Sequence, residues 1–158
     1  MVYEPDMTKS GKFKLVGYLS RDHDYPQGEI SEAAFDRLAT LALLHIIQYL
    51  GYYNCDLGSC GSNQIQPDFY WRGMRIPQRC TSEILVPGKA VLYRAPALIL
   101  HYIRAHRYLP PARFLDAVLA CPEPGSDEYR RVISDYRLPE GFQFRQRSWL
   151  QRLLRINK

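Results

Sequence analysis

Cys55 and Cys60 enclose four residues, and so do His101 and His106. Both spacings fall within the ligand windows of tetrahedral zinc, whose common protein donors include thiolate sulfur and imidazole nitrogen. A Cys pair on a tight loop, a hairpin, then a helix presenting two His near its end is also the order in which a two-Cys two-His finger surrounds its ion. Two thiolates and two imidazoles fill all four positions of zinc and leave none for a reactive water, so the expected Zn2+ site is structural rather than catalytic. Between Cys60 and His101 lie 40 residues, against about 12 in a simple finger. The intervening chain must therefore fold back on itself, and Cys80 within it is a further thiol able to replace one ligand. The competing reading treats the cysteines as small buried hydrophobes, His101 as a core residue and His106 as a surface cation at a helix C-terminus.

The His pair sets a geometric condition. Positions five apart on an ideal helix differ by about 140° around its axis. The expected remedy is a last turn before Pro110 that tightens towards 3₁₀ geometry and swings His106 back towards His101.

Other chemistry is less well marked. A metal enzyme would need an open coordination position and a nearby acid, for which Asp56 and Glu83 are the candidates. His45, on an apolar run, reads as a core histidine, and His23 belongs to the charged turn Arg21-Asp22-His23-Asp24. There is no glycine-rich phosphate loop, no Gly-x-Ser-x-Gly elbow and no His-Glu-x-x-His. A protein partner would find its anchor in the aromatic residues Tyr52, Tyr53, Phe69, Tyr70 and Trp71. Nucleic acid would instead meet Arg145, Arg147, Arg152 and Arg155. From residue 141 to 158 there are five basic residues and no acid, so the formal net charge of +5 is a property of this tail.

The elements that must position these residues follow from pattern. Phe13 to Leu19 alternates roughly and reads as a strand. Ser31 suits a helix N-cap, with Glu32 and Asp36 near the positive end; the helix is expected to run to about Leu50 and stop at Gly51. Residues 52–79 are irregular, rich in Gly, Ser, Asn and Gln, and bound metal would pin them. Ser82 to Val86 and Ala90 to Arg94 flank Pro87-Gly88-Lys89 as a β-hairpin. Pro96 is expected to open a helix through His106, Pro110-Pro111 to end it, and Pro111 to start another over Ala112 to Ala120. Ser126 caps a short helix to about Tyr136. Trp149, Leu150, Leu153 and Leu154 make one face of a basic amphipathic C-terminal helix.

The sum is an α+β fold: one small domain with a β-hairpin, about five helices and a zinc-finger-like Cys2His2 centre. The globular part is expected over residues 1–140 and the basic helix over 141–158. At 158 residues and 46% apolar composition, one core is affordable and two domains are not. No run approaches a membrane span and Met1 to Gly11 lacks an apolar signal core, so the expectation is a cytoplasmic protein with reduced thiols.

Several segments together resemble a family of small bacterial proteins of unknown function: Phe13 to Leu19, Tyr25-Pro26-Gln27-Gly28, Glu83-Ile84-Leu85-Val86-Pro87-Gly88, Val91 to Pro96, His101 through Pro111, and Leu119 to Pro122 with Gly125 to Tyr129. The family pattern has a closer Cys-x-x-Cys pair and a glycine where Arg107 stands. The resemblance implies a zinc-binding cytosolic module and supplies no activity. The functional expectation is therefore a non-catalytic, zinc-stabilised module binding a macromolecular partner, for instance an immunity or accessory protein of a toxin or defence system. The alternatives are nucleic-acid binding through the basic tail and a metal-dependent enzyme.

Overall fold

The computed structural model describes residues 3–44, 46–58, 60, 69–76 and 79–136. Its centre is a five-stranded mixed sheet in the order β1-β2-β7-β6-β3. The strands are β1 (Lys9–Ser10), β2 (Phe13–Leu15), β3 (Ile47–Asn54), β6 (Arg79–Gly88) and β7 (Val91–Pro96). A separate ribbon pairs β4 (Phe69–Trp71) with β5 (Met74–Ile76), turned by Arg72 and Gly73, both with positive φ. Four helices complete the described residues: α1 (Glu32–Ala42), α2 (Ile99–His106), α3 (Ala112–Ala120) and α4 (Asp127–Asp135). The expected α+β class is the observed one. The basic helix expected over 141–158, with Arg145, Arg147, Arg152 and Arg155, lies outside the described residues, as does His45.

The hairpin is the spine of the fold. β6 and β7 pair antiparallel from Glu83↔Pro96 to Gly88↔Val91, so the turn is Lys89–Ala90, with Pro87 and Gly88 still in the strand. Ile84, Leu85 and Val86 are fully buried in succession, the mark of a strand covered on both faces. α1, α3 and α4 all pack against β6. β2 adds to β7 in parallel and β3 to β6 antiparallel.

Two expected boundaries are corrected. α1 ends at Ala42, not near Leu50, because Leu43 N–H bonds to Thr40 O and Leu44 N–H to Leu41 O, a tight closure that stops the helix. Residues 47–54 instead form β3, with Ile47 opposite Glu83 and Tyr53 opposite Cys80, so Gly51 lies inside a strand. Pro96 does not open a helix either. It ends β7, where its missing N–H is tolerated, and α2 starts at Ile99. The caps behave as expected: Ser31 Oγ accepts from Ala34 N–H and Ser126 Oγ from Tyr129 N–H.

Candidate metal centre

β3 delivers Cys55 at its C-terminal end, buried beside the buried Leu57. The chain then turns through Gly58, whose φ of +50° favours glycine, and Cys60 N–H bonds to Leu57 O at 3.0 Å. This turn lies against the last turn of α2: a side chain on Gly58 would start 4.0 Å from the His106 ring. From the other side, Pro26 to Gly28 strap the end of α2, with Gly28 N–H on Arg107 O and Leu109 N–H on Pro26 O, both at 2.9 Å.

The end of α2 departs from the expected geometry. It does not tighten. Arg107 N–H reaches back five residues to Tyr102 O, and Tyr108 N–H takes the same carbonyl at 3.1 Å. A five-residue closure is wider than an α turn, so each residue contributes less rotation and positions five apart come nearer to one face. Arg107 closes the helix in the left-handed region at φ +54°, the conformation usually given to glycine at a helix C-terminus.

Cys55, Cys60, His101 and His106 consequently bring one ligand atom each into a cluster in which all lie within 4.8 Å of one another. Cys55 Sγ is 3.2 Å from His106 Nε2, and Cys60 Sγ is 3.5 Å from both His101 Nε2 and His106 Nε2. The two Nε2 atoms are 3.3 Å apart. With ordinary zinc–ligand bond lengths, a tetrahedron has edges of about 3.3 Å between nitrogens and about 3.5 Å between nitrogen and sulfur. The arrangement is compatible with a metal site.

Burial governs the protonation of the cluster. Burial pushes the Cys55 thiol up to about 12, opposed by a backbone hydrogen bond from Leu57. Burial, then the neighbouring His106, holds His101 down at about 4, and burial lowers His106 as well. Both rings are therefore neutral at pH 7, the form that ligates metal. Ligation of a metal by Cys55 would therefore require that metal binding displace its thiol proton.

The remaining candidates lie elsewhere. Cys80 is buried on β6, its Sγ donating to Ser82 O at 3.5 Å, and is not in the cluster. Asp56 faces Arg21 at 4.0 Å. Glu83 is buried, accepts from Tyr18 Oη at 2.6 Å and pairs with Arg94; this interior ion pair carries no short-range sequence signal, since its partners come from β6, β7 and the loop after β2. His23 stacks on Tyr3. Of the aromatic residues expected to form one patch, Tyr52 and Tyr70 are 64% and 68% exposed. Tyr53 and Trp71 pack against the core, Trp71 on Phe35 and with its N–H on Asp36 Oδ1. Phe69 stands in β4 opposite Ile76.

A family model matches residues 1–119 of the chain, which includes all four cluster residues. The chain belongs to DUF7919, a domain of unknown function. No curated protein and no solved structure matches it. The DUF7919 match stops within α3, so Cys121 and α4 lie beyond it. Among the described residues of this DUF7919 protein, no helix is long and apolar enough to cross a membrane.

Proposed function

We propose that this chain is a non-catalytic module built around a structural Zn2+ held by Cys55, Cys60, His101 and His106, and that it serves to present a binding surface to a macromolecular partner. One observation carries the metal reading: three sulfur–nitrogen separations and one nitrogen–nitrogen separation in the cluster, 3.2 to 3.5 Å, are those of the edges of a zinc tetrahedron. The two Cys and two His complete four-coordination, which is the composition of structural rather than hydrolytic zinc. The metal joins the turn after β3 to the end of α2, so it ties the sheet edge to the helix that follows the hairpin. Exposed Tyr52 and Tyr70 support the partner reading, since large aromatic side chains left in solvent are favoured anchors for recognition.

Cobalt substitution tests the coordination directly. Co2+ in the four-ligand site gives intense visible bands of a tetrahedral centre and a sulfur-to-metal charge-transfer band. Weak bands of an octahedral ion, or the same spectrum after Cys55→Ser, contradict the site.

A further inference from the structure

At the far end of the sheet from the metal cluster lies an open groove of about 1100 Å³. Cys55 follows the strand paired with Arg79 at one end of β6, whereas the groove opens at Gly88 at the other. The ten residues of β6 separate the two by about 30 Å at about 3.3 Å per residue. Its walls are the β1–β2 ribbon, the β6–β7 turn and the face of α3.

The walls are basic. Lys9, Lys12, Lys14, Lys89 and Arg113 line the groove against a single acid, Asp116. Lys12 is engaged, donating to Tyr136 O at 2.7 Å. Lys9, Lys14, Lys89 and Arg113 face no carboxylate in an ion pair among the described residues, while Arg21, Arg37, Arg72, Arg94, Arg107 and Arg130 each do. Lys9 and Lys14 also stand directly opposite each other across the β1–β2 pairing. Like charges in that position destabilise a sheet, so the fold maintains a repulsion that an anion between the two would relieve.

We propose that this groove binds the phosphate backbone of single-stranded nucleic acid through Lys9, Lys14, Lys89 and Arg113. Two features choose that occupant. The groove is open and larger than most closed small-molecule pockets, about 300–1000 Å³, which suits a strand passing through. Finally, α4 ends at the rim, where Tyr136 Oη donates to Gly88 O and Val91 O. The chain continues from there into residues 137–158, with six basic residues and one acid. Positive charge thus continues in the sequence beyond Tyr136. This site is independent of the metal reading.

The test uses the full chain, with its basic tail intact, and a labelled short oligo(dT) followed by fluorescence anisotropy between about 50 and 200 mM salt. The wild type binds, and its affinity falls steeply with salt. Replacing Lys9, Lys14, Lys89 and Arg113 together by Gln lowers affinity by about tenfold or more at the lower salt, and reduces the salt slope by about 0.7 for each lost contact. A second variant omits the half-buried Lys14 and changes only the three exposed cations, so that a folding defect cannot imitate the result. No binding by the wild type overturns the proposal. So does an unchanged affinity and slope in the three-residue variant, which would assign retention to another surface. Displacement by poly-glutamate as effective as by unlabelled oligo(dT) overturns it too, in favour of an acidic protein segment.

Discussion

His101 and His106 stand five residues apart on α2, yet their Nε2 atoms are 3.3 Å apart. The wide closure of the helix on Tyr102 O and the left-handed turn at Arg107 make that approach feasible. The same turn sends Tyr108 back to pair with Gln27, so the strap over the helix end and the convergence of the two rings are one structural event.

Arg107→Gly is expected to stabilise the protein. A non-glycine residue at φ +54° carries a steric cost that glycine lacks, and the relief is about 1 kcal/mol. The ion pair lost with the side chain, to Glu29 at 3.8 Å, is exposed and contributes little. The urea midpoint rises if the backbone cost dominates; a lower midpoint at unchanged slope contradicts this account of the helix end.

The cluster was legible from the sequence because ligand spacing is local: two pairs of residues, each enclosing four others, announce themselves without knowledge of the fold. Caps at Ser31 and Ser126 were legible for the same reason. The end of α1 was not. Residues 41–47 are apolar on nearly every side, a pattern common to a buried helix and a buried strand, and pairing of Gln48 with Ser82 and Tyr53 with Cys80 decides for the strand. Glu83 and Arg94 were illegible as a buried pair because nothing local shows that strand β6 is covered on both faces.

Thiol accessibility separates two classes of cysteine. All four are free of disulfides. Cys80 and Cys121 are buried, and burial raises both thiols above their ordinary value, so neither reacts while the fold holds. Loaded with zinc, the native protein should show no fast thiol towards an aromatic disulfide reagent. A strong chelator should release two, the half-buried Cys60 and, because loss of the metal's contribution to folding loosens the turn that carries both, the buried Cys55; denaturant should release the rest. Release of a third thiol by the chelator alone would place Cys80 or Cys121 in the metal's shell.

Stability should fall in alkali. Burial holds the Cys121 proton up to about 11, whereas an unfolded thiol loses it near about 8.5. The folded state therefore binds more protons across that window, and stability, complete below it, decreases as pH rises through it. Tyr129, its hydroxyl on Leu85 O at 2.7 Å and its pKa raised well above the ordinary value chiefly by burial, extends the loss further up. By about pH 10.5 the stability lost through Cys121 is about 2.5 kcal/mol. Urea melts of the wild type and Cys121→Ala between pH 8 and 10.5 should give a shallower decline in the variant, and parallel declines would contradict the assignment.

Metal content decides the central claim. Purified without added metal or chelator, the full chain should carry one zinc per molecule by elemental analysis, and Cys55→Ser and His106→Ala should each carry far less. Both variants are also expected to melt lower, because bound metal contributes to folding free energy. A wild-type protein with no stoichiometric metal after zinc is supplied, or variants that retain a full equivalent, would contradict the assignment of Cys55, Cys60, His101 and His106 to one ion.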